Sequence, residues 1–254
     1  MNWRSILIAS AIGLSISANA ATWSETTISY LRGSNFANSF EDNNRSELSF
    51  EHASGFKYGD NFFWLDVSDS QSSSRSTDTE LYGEWSPRFS AGKVLGFYNK
   101  DRLVQDVLLS GTLEFGRSAV VSRARLYGFG LDFNIPHFSY FQYNLYIRDN
   151  MDKTGTTFQS TFAYKVPFSI SKKIKINYSA YVDIVHGEEG TDSDSTIVEA
   201  YWHTGQVVTL DLGALWGVEN VIHTGFKYQY WNRKYGAKSG PVENNLKWMI
   251  KWVL

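Results

Sequence analysis

The chain has 254 residues, no cysteine, four prolines, 16% Phe, Trp and Tyr, and a formal net charge of −2. So balanced a charge gives no general attraction for nucleic acid or for an anionic membrane surface. Without cysteine there is no disulfide framework, and the scattered histidines (His52, His137, His186, His203, His223) offer no metal-ligand spacing, so no cofactor or metal is expected.

Residues 1–20 read as a secretory signal. Arg4 supplies the positive end, "ILIASAIGLSI" a short apolar core, and Ala18 to Ala20 a small-residue cleavage site. The apolar run falls short of the roughly 20 residues a spanning helix needs. Residues 21–254 are then a single exported domain, one unit more negative because Arg4 is lost.

Every later apolar run is broken by charge, and period-two alternation replaces helical periodicity almost throughout. Strands are expected at 22–33, 45–54, 60–69, 78–90, 104–116, 123–135, 138–149, 157–170, 172–186, 206–216, 220–233 and 242–254. In the last of these Leu246, Trp248, Ile250 and Trp252 share one face, while Asn245, Lys247, Met249 and Lys251 share the other. Short connections such as "IPH", "SKK" and "GVEN" alternate with longer polar ones such as "SDSQSSSRSTD" and "HGEEGTDSDS". An even strand number, short turns at one end and long loops at the other are the pattern of a bacterial outer membrane barrel. The expected fold is all-β, a twelve-stranded antiparallel transmembrane β-barrel. Two connections fit it badly: 91–103 is long on the short-turn side, and 187–205 has room for another hairpin.

If the apolar faces meet lipid, the opposite faces line a lumen. In "EHASGFKYGDNFFWLDVS", Glu51 to Ser68, this turns Phe63, Leu65 and Val67 outward and Asp60, Phe62, Trp64 and Asp66 inward. Tyr82, Tyr140, Tyr146, Tyr181 and Trp231 are further inward rings. Trp85, Tyr228, Tyr230, Trp248 and Trp252 belong by phase to the outward aromatic girdles. Inward charge is segregated: the first six strands carry mostly carboxylates, with Arg88 the clearest base, and the last six mostly bases, Lys165, Lys227 and Lys247 among them. An acidic wall then faces a basic one, or the charges pair across neighbouring strands and fill the lumen. The candidate solute-binding residues are Phe62, Trp64, Asp66, Tyr82, Glu84, Arg88, Tyr146, Arg148, Tyr181, Asp183 and Trp231, which combine stacking surfaces with hydrogen-bonding groups. A rim-active hydrolase is a rival, since His186 and His203 flank "GEEGTDSDS", but no nucleophile elbow or dyad spacing accompanies them. A surface receptor barrel and a general diffusion pore are the others.

The stretches "YLRGSNF", "FEHASGFKYGDNFFWLDVS", "YGEWSPRFS", "VQDVLLSGTLEFG", "YGFGLDFN" and "KYQYWNRKYG" resemble the Tsx/OmpK family of nucleoside-specific channel-forming outer membrane proteins. The likeness runs from about Trp23 to Leu254. It implies a monomeric twelve-stranded barrel in the Gram-negative outer membrane, exported through the Sec pathway and surrounded by outer membrane lipids. It also implies passive nucleoside passage and use of the outer loops by a phage or colicin. Motif by motif it points to Phe62, Trp64, Asp66, Tyr82, Glu84 and Arg88, and to Tyr230, Trp231 and Tyr235. The C-terminus departs from the family: it ends "WMIKWVL" where such barrels generally end in Phe or Trp.

Overall fold

A computed structural model describes residues 21–37, 44–70, 79–117, 123–151, 153, 155–187, 198–236 and 240–254. The expected signal segment and residues 188–197, where the sequence has room for an extra hairpin, lie outside this set. Twelve strands run in chain order: β1 (Ala21–Ser34), β2 (Asn44–Phe56), β3 (Gly59–Ser70), β4 (Thr79–Ser90), β5 (Val104–Arg117) and β6 (Ala124–Phe133) are followed by β7 (Tyr140–Asn150), β8 (Thr156–Ser169), β9 (Lys175–Val185), β10 (Tyr201–Asp211), β11 (Ile222–Asn232) and β12 (Glu243–Val253). Each pairs antiparallel with its sequence neighbours, and β1 closes on β12 in register from Thr27↔Val253 to Ser34↔Leu246. The ring therefore has no edge, as hydrocarbon demands of any sheet that crosses it.

The two faces divide as the alternation requires. On β12 Glu243, Asn245 and Lys247 are buried inside the ring, whereas Leu246, Trp248 and Trp252 are exposed on its outer surface. Trp85, Phe89, Leu109, Phe129 and Phe226 continue that outer surface. Around β6 to β9 the outward rings of Phe138, Phe141, Phe162, Tyr164 and Tyr178 pack against one another, with Phe141 stacked on Tyr164 at 5.7 Å.

Two local structures differ from expectation, and both have the same cause. The connection 91–103 begins with a one-turn helix, α1 (Ala91–Leu95), and the apolar run "LGALW" forms α2 (Leu212–Leu215) instead of prolonging β10. In α1 the Ser90 hydroxyl accepts from Lys93 N at 2.8 Å and donates to the inward-facing Asp106, which also accepts from Gly92 N at 3.1 Å. In α2 the carboxylate of inward-facing Asp211 accepts from Ala214 N at 3.0 Å and Asn220 N at 2.8 Å. A side-chain acceptor over the first amides starts a helix more cheaply than the ladder continues. Left-handed glycines, Gly96 (φ 81°) and Gly217 (φ 84°), follow each turn. Because α1 joins β4 to β5 and α2 joins β10 to β11, the two helices sit on opposite sides of the short-turn mouth. β10 consequently runs over Tyr201–Asp211, both ends earlier than in the 206–216 read from sequence.

Inside the barrel near that mouth, Arg88 is held between two carboxylates. Its Nε and Nη2 donate to Asp60 at 2.8 and 2.6 Å, and its Nη1 donates to Asp132 at 2.8 Å, tying β3, β4 and β6 together. Lys251 of β12 reaches Glu51 of β2 at 2.8 Å across β1. Removing a cation from such a set leaves its partly buried carboxylates without compensation. Arg88→Met is expected to destabilise the barrel by about 3 kcal/mol, measured as a lower denaturant midpoint for loss of the heat-modifiable folded band. Adding Asp60→Asn and Asp132→Asn should recover most of the loss, and a triple variant as unstable as the single one would refute this role.

Candidate functional site

Above the Arg88 cluster, toward the long-loop end, the lumen opens into a cavity of about 1110 Å³, including space open to solvent. One wall is a patch on β3 and β4 in which Trp64 lies opposite Glu84 and Asp66 opposite Tyr82 in the ladder. The Trp64 and Tyr82 rings are 5.3 Å apart, and the Tyr82 hydroxyl donates to Glu84 Oε1 at 3.1 Å. The second wall comes from β9, β10 and β11. His203 stacks on Trp231 at 3.6 Å with planes 14° apart, and Tyr201 stacks on Trp231 at 5.9 Å. The Tyr181 hydroxyl lies 3.1 Å from His203 Nε2 and accepts from Gln229 Nε2 at 3.3 Å. β4 and β10 are six strands apart in the twelve-membered ring, so the aromatic walls face each other across the lumen.

Segments beyond the strand ends narrow the outer side. Phe36 lines the cavity beneath Arg45 and Lys247, 5.4 and 5.6 Å from its ring centre. Lys234 and Tyr235 belong to a 3₁₀ turn over Lys234–Gly236, where Tyr235 adopts φ 64° and places its ring 5.4 Å from Trp231. Glu243 fastens both segments, accepting from Ala37 N at 2.9 Å and Lys234 Nζ at 2.6 Å.

The charges do not form two bare walls. Lys247 pairs with Glu47 at 2.8 Å, Arg45 with Glu80 at 2.7 Å, and Arg148 with Glu114 through both terminal nitrogens. Arg45, on β2, puts a base among the acidic strands that the sequence segregation does not count. Arg148 also donates to Asn150 at 2.9 Å and Gln159 at 2.8 Å. Pairing across the closure and between nearby strands is the arrangement that buried charges require.

Of the residues singled out from sequence, Trp64, Asp66, Tyr82, Glu84, Arg148, Tyr181 and Trp231 converge on this cavity. Four do not line it. Phe62 shares the inward face but sits near the Lys57–Tyr58 turn, and Arg88 is committed to its two aspartates. Tyr146 is 4% exposed, packed with Ala124 and Leu126 and bonded to Ser110 at 2.8 Å. Asp183 accepts from Thr161 at 2.6 Å and Gln159 at 3.3 Å. Of the residues the family resemblance adds, Tyr235 reaches the cavity, whereas Tyr230 faces outward and packs on Trp202 at 4.6 Å.

Tyr201, His203, Gln159 and Gln229 also line the cavity, and sequence reasoning missed them as site residues. Tyr201 and His203 were hidden by the late start expected for β10. The signal was present: Tyr201, His203, Gly205, Val207 and Thr209 alternate with Trp202, Thr204, Gln206, Val208 and Leu210, but outward Thr204 and Gln206 blur the contrast. As for the rim-hydrolase alternative, His203 is inside the lumen. His186 meets Ser160 Oγ at 3.3 Å, and among the described residues no carboxylate orients its imidazole.

No curated protein sequence is significantly similar to this chain. Among solved structures, the NanC porin superposes with a TM-score of 0.51 at 10% identity, covering 90% of this chain and all of the porin. The KdgM porin gives a TM-score of 0.45 at 11% identity, covering 89% of this chain and 98% of the porin. The family model for the nucleoside-specific channel-forming protein Tsx matches residues 18–250. With that match spanning nearly its whole length and a closed porin-like barrel around a polar lumen, the protein belongs to the Tsx family of channels and is an outer membrane channel for small solutes.

Proposed function

We propose that the solutes are nucleosides, held in passage between the two aromatic walls of the outer cavity. The observation that carries this reading is the opposition of Trp64 and Tyr82 to Tyr181, Tyr201, His203 and Trp231, with the Gln229 amide in the second wall and the Gln159 amide on the adjoining β8. Flat rings offer a base a stacking surface of any sequence, at roughly 1–3 kcal/mol each. With the Gln159 and Gln229 amide nitrogens donating to neighbouring side chains, their oxygens keep acceptor capacity for a base edge or a ribose hydroxyl.

The test is single-channel recording in planar bilayers with adenosine or thymidine added. Nucleosides should block the ion current in a saturable way. Trp231→Ala should raise the half-blocking concentration about tenfold, the equivalent of roughly 1.4 kcal/mol, while Tyr230→Ala on the lipid face leaves it unchanged. A pore indifferent to nucleosides would contradict the proposal and favour general diffusion.

In this reading the channel acts as a monomer without catalytic activity and reaches the outer membrane through the Sec pathway, losing residues 1–20 on export. The intact mass of the purified protein should correspond to a chain beginning at Ala21, where β1 starts. A mass that retains Arg4 would refute the cleavage.

A further inference from the structure

The cavity is lined by six carboxylates, Glu47, Asp66, Glu80, Glu84, Glu114 and Glu243, and by four cations, Arg45, Arg148, Lys234 and Lys247. The four cations are matched one to one with Glu80, Glu114, Glu243 and Glu47. None of these four pairs takes in Asp66 or Glu84, which are neighbours on the β3–β4 wall. Among the described residues no cation lies within 4 Å of Glu84, whose partners are two neutral donors, the Tyr82 hydroxyl and the Trp64 side chain. Asp66 is 9% exposed, and its Oδ1 has no hydrogen-bond donor. The ammonium of Lys227 stands 4.0 Å from Asp66 Oδ2 and 3.9 Å from Glu47, outside hydrogen-bond distance of either.

These two carboxylates alternate with two rings. The ladder sets Trp64 against Glu84 and Asp66 against Tyr82, so each aromatic face is bordered by an acceptor that has no donor capacity of its own when ionised. A cation over an aromatic face is attracted by the ring quadrupole, and more strongly where water is excluded. Lys227 already shows the preference, its ammonium 5.9 Å from the Trp64 ring centre. It does so from β11, too far away to satisfy Asp66 and without reaching Glu84.

We propose that Trp64, Asp66, Tyr82 and Glu84 form a binding site for organic cations, so that the channel favours planar or aromatic solutes bearing an ammonium group over neutral and anionic ones. This goes beyond nucleoside passage and does not rest on it. Glu84 receives the ammonium, Tyr82 and Trp64 hold the apolar body, and Asp66 adds a second negative charge at the rim of the site. The same two carboxylates bias the ion current toward cations.

A matched series tests the proposal without any nucleoside: tryptamine (cation), tryptophol (neutral) and indole-3-acetate (anion), each titrated against single-channel current at neutral pH. Tryptamine should block at a concentration about tenfold lower than tryptophol, with indole-3-acetate weakest. Glu84→Gln should remove most of that preference, and it should shift the reversal potential in a KCl gradient toward lower cation selectivity. Equal block by the three compounds, or a ranking unchanged in Glu84→Gln, would overturn the proposal. Should the variant fail to insert, the wild-type ranking alone decides between the two results. Failure of nucleosides to block would leave this outcome untouched.

Discussion

Closure of β1 on β12 is the constraint from which the rest of the molecule follows. In hydrocarbon an unpaired peptide group costs several kcal/mol, and only a ring of strands pairs all of them without a helix. Once the ring is closed, the side-chain period of two leaves each residue with one of two solvents, lipid outside or lumen inside. The exterior then takes Leu246, Trp248, Phe226 and Trp85, and most ionisable side chains of the strands are driven inward. A twelve-stranded ring gathers those charges into a space small enough that they meet.

Their meeting determines the shape of the lumen. At the short-turn end Arg88, Asp60 and Asp132 cross-link three strands, while Asp106 and Asp211 tie down α1 and α2 from opposite sides. At the outer end Glu243 draws in the segments that carry Phe36 and Tyr235. Between these belts lies the aromatic-walled cavity. Polar networks that are satisfied hold fixed positions, so the places where satisfaction is incomplete mark where a solute has something to bind. Asp66 and Glu84, bordering Trp64 and Tyr82, are such places.

Much of this was legible in the sequence. Alternation alone gives the strand count, the inward phase of Trp64, Tyr82, Tyr181 and Trp231, and the outward phase of Trp85 and Trp248, because a barrel in lipid punishes a slip of one residue on every strand. Strand ends were less legible, since they depend on caps. The carboxylate of Asp211 converts "LGALW" from strand to turn, and no periodicity announces that. The resulting displacement of β10 hid Tyr201 and His203. Partner choice was not legible at all: phase says that Arg88, Tyr146 and Asp183 point inward, but whether they face solute or are consumed by Asp60, Ser110 and Thr161 depends on strand stagger around the ring.

The most direct test of the account is the accessibility of single cysteines in a chain that has none of its own. Tyr82→Cys and Trp231→Cys place a thiol in the lumen, and Trp85→Cys and Tyr230→Cys place one against lipid. With the protein in liposomes, a water-soluble, membrane-impermeant thiosulfonate should modify the first pair and reduce the channel current, and should leave the second pair unmodified. Modification of Trp85→Cys and Tyr230→Cys with protection of Tyr82→Cys and Trp231→Cys would contradict it, because the face assigned to the solute would then be the face that meets the membrane.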